Sequence, residues 1–387
     1  MKHLPARCAS CAALAFLLVA ALPGVAFAQT PVQQAATLYG NHEPGKAAGI
    51  LLSYLALHPD DAEALIMLAR IRLEQGDTTE AAQLLNRALA ANPHSVAANN
   101  ILGDLYLQRQ RYTEAMERFE TVLATHQRDT DARKGELAAS TALALQARAA
   151  GKQNDALACL QHARASLPDD PVLLTDLGIQ AQQMRLLPQA AEALNAALAL
   201  SPKRPDTLYA LARVEADQDH LPAAEQHLRA YLNVRPSDAS AHFGLGHVLE
   251  RQQRIEAATA EFERSIELQP AQTESYYQLG QMALDGHQDA KARPLFEKTL
   301  ARNPQHGGAL TGLGILAYRA KDYAAARNQL AAAVESSPNY QPAHYYLGLT
   351  LFRLGDKAAS DRELQLATEL TRKQQGKGAP LPPSSAP

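Results

Sequence analysis

Leucine and alanine recur along this chain at fixed intervals. Taking the proline at Pro59, Pro93, Pro168, Pro202, Pro236, Pro270, Pro304 and Pro338 as position 32 of a unit, successive prolines stand 34 residues apart. The one exception is a gap of 75 between Pro93 and Pro168, which equals two units plus seven residues. In this register position 7 is Leu from Leu68 through Leu102, Leu143, Leu177 and Leu211 to Leu347. Position 8 is small, as in Gly103, Gly178, Gly246, Gly280, Gly314 and Gly348, or Ala in Ala69 and Ala212. Position 20 is Ala in nine units, with Ser360 as the exception, and position 24 is large and apolar, as in Leu51, Phe119, Leu194, Phe262, Phe296 and Leu364. A period of this length predicts stacked helix pairs, none of which buries enough surface to be stable alone. Small residues at positions 8 and 20 let two antiparallel helices approach closely, and the large residues at 7 and 24 fill the layer between successive pairs. Breakers such as Gly76-Asp77, Gly151-Lys152 and Gly355-Asp356 separate the two helices. The proline lies beyond the second helix, which it cannot continue.

These columns, with segments such as Ser275-Tyr276-Tyr277-Gln278-Leu279-Gly280 and Ala343-His344-Tyr345-Tyr346-Leu347-Gly348, resemble the tetratricopeptide repeat family over residues 28–374. The resemblance implies an all-α fold, a right-handed superhelical solenoid of about ten antiparallel helix pairs whose first helices line a concave groove. Residues 28–129 make units 1–3, residues 130–170 an extended unit 4, and residues 171–374 units 5–10. The terminal units are degenerate, with Pro31, Gln34 and Arg372 off the pattern. The seven extra residues of unit 4 fall between Arg128 and Ser140. They amount to about two helical turns, so Asp129 or Thr130 can cap a first helix lengthened toward its N-terminus. A surface loop around Gly135 is the alternative. A lengthened helix would divide the array into three units and six.

The ends of the chain differ from the repeats. Lys2 and Arg7 precede an apolar run from Cys11 to Leu22, and Ala26-Phe27-Ala28 presents small residues where a signal peptidase reads. Residues 1–28 are therefore expected to be a signal peptide cleaved after Ala28, which places the mature protein in the periplasm. No later run is long enough to span a bilayer, so the mature chain is not expected to cross a membrane. Residues 375–387, with four prolines, two glycines and two serines, are expected to form a disordered tail.

Composition narrows the function. The chain carries 37 Lys and Arg against 40 Asp and Glu, a net charge of -3, which does not favour nucleic acid as a partner. Catalytic motifs fail in turn. Gly244-Leu245-Gly246 and Gly312-Leu313-Gly314 sit inside helices and read as packing glycines rather than as a phosphate loop. His242 and His247 do not share a helix face, and His42-Glu43 has no second histidine at the zinc-protease spacing. Cys159 is expected to be a buried apolar group. Neither a catalytic site nor a metal or cofactor site is expected, and the chain reads as no enzyme.

Binding chemistry should then come from positions 2, 5, 9, 12 and 13 of each first helix, which point away from the second. Position 5 reads Tyr209, Phe243, Tyr277, Thr311 and Tyr345, with Arg213, His247 and Gln281 at position 9 beside the ladder. Rings flanked by hydrogen-bonding groups suit an extended peptide or an amphipathic helix, although tyrosine at position 5 also belongs to the repeat pattern. The expected role is a protein-interaction scaffold of the bacterial envelope, serving assembly or export. Polysaccharide is the alternative ligand.

Overall fold

The computed structural model describes residues 29–375. The expected signal segment and its cleavage site lie outside the described residues, as does the tail, except for Gln375, which closes the last helix. Among the described residues there are twenty α-helices and no strand, arranged as the all-α solenoid of helix pairs.

The described chain divides into two compact units, with the boundary between Ala139 and Ser140. Unit 1 holds α1 (Pro31–Gly40), α2 (Pro44–Leu57), α3 (Ala62–Glu74), α4 (Thr78–Ala91), α5 (Val96–Gln108) and α6 (Tyr112–Leu123). The boundary falls inside α7 (Thr130–Ala149). Unit 2 continues with α8 (Gln153–Ser166), α9 (Pro171–Gln183), α10 (Leu187–Leu200), α11 (Pro205–Asp217), α12 (Leu221–Val234), α13 (Ala239–Arg251) and α14 (Ile255–Leu268). It ends with α15 (Glu274–Asp285), α16 (Asp289–Arg302), α17 (Gly307–Arg319), α18 (Tyr323–Ser336), α19 (Gln341–Arg353) and α20 (Lys357–Gln375). The odd-numbered helices other than α7 each pack against the even one that follows, and within unit 2 α9, α11 and α15, α17, α19 also pack side by side.

The local chemistry of each turn explains the pairs. The fifteenth position of every repeat has left-handed backbone, and only Gly76, Gly151 and Gly355 are glycine there; Gln110, Asp219 and Lys321 adopt φ of 59°, 65° and 66°. The next amide bonds back across six residues, as from Asp322 to the Ala317 carbonyl at 3.0 Å, so the first helix ends in a Schellman closure. The next repeat opens with a side-chain cap in several units. Asp61 accepts from the Ala64 amide at 2.9 Å and Asp238 from those of Ser240 and Ala241.

Packing follows the columns. A Cβ on Gly246 or Gly280 would come within 2.8 Å of the Phe262 or Phe296 ring of the same repeat, and one on Gly178 within 2.5 Å of Leu194. The alanines at position 20, from Ala47 to Ala326, are fully buried. Ser360 is buried in that column because its hydroxyl donates to the Gly348 carbonyl at 2.8 Å, which satisfies a polar atom that would otherwise cost more than the methyl it replaces. The core of unit 1 includes Leu51, Leu65, Ile71 and Leu85, and that of unit 2 Leu194, Leu211, Phe262, Phe296 and Leu330.

The seven extra residues are helix, not loop. Helix α7 has 20 residues where α9 and α11 have 13, and Asp129 caps it by accepting from the Ala132 amide at 2.8 Å. Its first turns follow the register of the preceding repeat. Gly135 stands sixteen residues after Phe119, as Gly312 does after Phe296, and in both cases a Cβ would overlap the ring. Glu136 consequently fills a slot that is Leu elsewhere, and it is completely buried. Leu143 returns to that column two turns later.

Candidate functional site

On the inner face of unit 2 a cleft of about 210 Å³ is lined by Gln182 of α9, by Tyr209, Arg213 and Asp217 of α11, and by Gly244, His247 and Arg251 of α13, with Leu228 and Val248 at its base. Repeat geometry makes this possible. Positions 5, 9 and 13 lie four residues apart, hence on one face of a helix, and equivalent faces of neighbouring first helices stand side by side.

Most of the polar groups already have partners. Asp217 accepts from Gln182 at 3.4 Å and from Arg185 at 3.3 Å. Arg251 donates to the Ala216 carbonyl at 2.8 Å and to Asp219 at 2.9 Å. His247 Nε2 lies 3.1 Å from Gln278 Nε2; the amide nitrogen donates, so the imidazole is assigned its proton on Nδ1, which faces Glu250 at 3.6 Å. Burial, reinforced by the Arg251 charge, pushes the His247 pKa down, which favours the neutral ring that this arrangement needs. Burial likewise raises the Tyr209 pKa, opposed by Arg213, and the Tyr209 ring lies 5.1 Å from that of Tyr231. Arg213 is exposed and has no hydrogen bond or ion pair among the described residues. The cleft thus offers an aromatic wall, a neutral imidazole and one uncommitted cation.

Unit 1 has an inner-face cavity of about 300 Å³ built on related columns, lined by Tyr39, Arg70, Leu73, Ile101, Asp104 and Gln108. Its character is more acidic. The Tyr39 hydroxyl is engaged by Glu74, and burial followed by the Asp131 charge raises the Asp104 pKa.

The tetratricopeptide repeat model matches residues 32–96, 66–132, 175–235, 209–273, 277–342 and 316–367, most of the chain. The chain belongs to the tetratricopeptide repeat family. A solved tetratricopeptide repeat protein from Parabacteroides merdae shares the fold at 15% identity, covering 60% of this chain and 91% of that one with a TM-score of 0.51. YrrB, a TPR protein with an unusual peptide-binding site, covers 48% of this chain and 95% of its own at 18% identity and a TM-score of 0.40. Tetratricopeptide repeat protein 21 homolog of Caenorhabditis elegans is 32% identical over 93 residues, a stretch that spans 24% of this chain and 7% of that relative. Proteins of this family act in protein–protein interaction and peptide binding, and no enzymatic family is indicated.

Within this tetratricopeptide array the expected binding residues separate. Tyr209, Arg213 and His247 meet in the cleft. Phe243 lies behind it, edge-on to His247 at 5.3 Å and 5.7 Å from Phe262. Tyr277 is taken up by packing, its ring 4.6 Å from His306 of the repeat boundary, and burial raises its pKa strongly. Gln281 donates to Asp285 at 3.0 Å, and Tyr345 stands apart and 42% exposed. The ladder is therefore not a continuous contact surface. Two further expectations are corrected. Gly244 is not a packing glycine, since the nearest atom to a Cβ there is Leu228 Cδ2 at 3.8 Å, and it lines the cleft instead. Cys159 is half buried, not buried, its thiol 3.5 Å from the Ser140 carbonyl. Gln182, Asp217 and Arg251 join the cleft lining, and their signal in the sequence is their place at positions 12 and 13. No described helix is long and apolar enough to cross a membrane, and no cluster of three or more metal-ligating side chains occurs among the described residues.

Proposed function

We propose that this protein is a non-catalytic scaffold of the bacterial cell envelope that holds an extended segment of a partner protein in the unit 2 cleft, during assembly or export of an envelope component. The observation that carries the reading is the exposed, unpaired Arg213 beside Tyr209 in a cleft whose other charged groups are already satisfied. Such a site takes a segment with an apolar or aromatic anchor for the cleft and a carboxylate for the guanidinium. The envelope location rests on the N-terminal leader pattern, and sequencing the mature N-terminus of the secreted chain tests it, with Gln29 expected as the first residue.

The docking reading is tested by photocrosslinking in native cells from Tyr209 and Arg213, with Ser166 and Glu80 as controls outside the cleft. One protein trapped from the cleft sites alone supports it. The same species trapped from all four sites, or oligosaccharide recovered in place of protein, overturns it.

A further inference from the structure

A side chain at position 5 is normally covered by the repeat that follows. Tyr277 shows how: besides the His306 ring, the backbone at Gly308 comes so close that a Cβ there would lie 2.7 Å from the tyrosine ring. Tyr345 occupies that position in the last described repeat, and no described helix follows α20. The residue is 42% exposed, and Phe352, two turns further along α19, is 57% exposed. Leu349 lies between them, half buried. Tyr346 meets Tyr345 edge-on at 5.4 Å and Tyr318 at 6.1 Å. The edge of α19 is thus an aromatic shelf. Its cations are committed, Arg319 to the Leu284 carbonyl and Asp289 and Arg353 to the Tyr318 hydroxyl, so the shelf attracts apolar matter more than acids.

We propose that the chain's own residues 379–383, Ala-Pro-Leu-Pro-Pro, cover this shelf. Proline suits it chemically. Its ring stacks on tyrosine, and it brings no backbone N–H that an apolar surface would leave unpaired. The lengths also agree. Tyr345 and Phe352 are seven helical residues apart, about 10 Å along the axis, and three steps of extended proline-rich chain from Pro380 to Pro383 span about 9 Å. Helix α20 runs back past the start of α19, 19 residues long where α18 has 14. The four residues from Gly376 to Ala379, two of them glycine, can turn the chain and reach up to about 14 Å. Tethering supplies an effective concentration on the order of millimolar, enough for a contact that would be weak between separate molecules. A second copy stacked head-to-tail fits less well, because the first helix presents Gln33, Gln34 and Thr37 at its surface, polar groups that the rings could not satisfy.

The site is separate from the cleft, so the two readings fail independently. Fluorotyrosine at position 345, with a second label at position 39 as reference, is read by fluorine NMR in three proteins: the full chain, a chain ending at Gln375, and the full chain carrying Pro380→Ala, Pro382→Ala and Pro383→Ala. The position 345 signal is expected to move in both altered chains while the reference stays. A synthetic peptide of residues 376–387 should return it in the shortened chain, and should need several-fold more peptide to affect the full chain. An identical signal in all three proteins overturns the proposal. So does equal peptide response in full and shortened chains, which would mark the shelf as open to external proline-rich segments, and so does a full-chain signal that moves on dilution, which would mark a second copy.

Discussion

At the scale of single residues, the repeat imposes a backbone demand that its side chains do not all suit. A left-handed residue closes every first helix, yet seven repeats place a side chain there, including Lys321 with φ of 66°. A non-glycine residue pays about 1 kcal/mol in this region. Lys321 is exposed and its side chain makes no hydrogen bond among the described residues, so Lys321→Gly is expected to raise stability by up to about 1 kcal/mol, read as a higher urea midpoint at unchanged slope. The packing glycines act in the opposite direction. A Cβ on Gly312 would overlap the fully buried Phe296 ring, and Gly312→Ala is expected to cost roughly 1–3 kcal/mol. Gly49, also helical, has nothing within 4 Å of that position, and the same change there should stabilise by roughly 1 kcal/mol through helix propensity. Equal responses at the two sites would sink the packing account. The glycine columns were legible because volume is a property of residue type. The left-handed column was only partly legible, since histidine, glutamine or lysine gives no sign of positive φ, and Gly244 resembles a packing glycine in sequence because spacing alone cannot tell a glycine under a ring from one facing open space.

At the scale of elements, α7 joins two repeat registers in a single helix. The insertion length predicted whole turns, and Asp129 supplied the cap, but sequence alone left loop and helix both open because Gly135 suits either. Its reason became visible only with the Phe119 ring against it. The cost of the junction is Glu136, a carboxyl in a leucine slot. Burial, with Glu120 nearby, raises its pKa to about 8 from the ordinary 4.5. Because the folded value lies above the unfolded one, the stabilisation associated with its proton is fully present below about pH 4.5 and is lost as pH rises through 8. Between those limits the folded chain keeps a proton that the unfolded chain releases, at about 1.4 kcal/mol per pH unit. Glu136→Gln is therefore expected to flatten the fall in melting temperature from pH 5 to pH 8. Parallel profiles for the two proteins would show that Glu136 does not titrate in this window.

At the scale of the molecule, the family and fold were readable from the period, and the columns that line the cleft from their facing away from the second helices. What could not be read was which part of that face is open. Tyr277 and Tyr345 hold the same position in their repeats, yet one is packed by its successor and the other lies at the edge of the array, a difference that depends on neighbours rather than on residue type. The cleft on α9, α11 and α13 has a direct test in Gly244. A Cβ there meets only Leu228, at ordinary contact distance, so a leucine replaces a helical glycine without a clash at Cβ and extends into the cleft that a bound segment would fill. Gly244→Leu should hold or raise the melting temperature while lowering partner capture at least about tenfold by steric occlusion. Arg213→Glu should also leave the fold intact, but its effect on capture should shrink as salt rises, because the lost contribution is a screened attraction between exposed charges. The two variants separate shape from charge. Loss of capture in Gly244→Leu with none in Arg213→Glu would retain the cleft as the docking site and remove the carboxylate from the description of its partner, whereas normal capture by both would place docking elsewhere on the array.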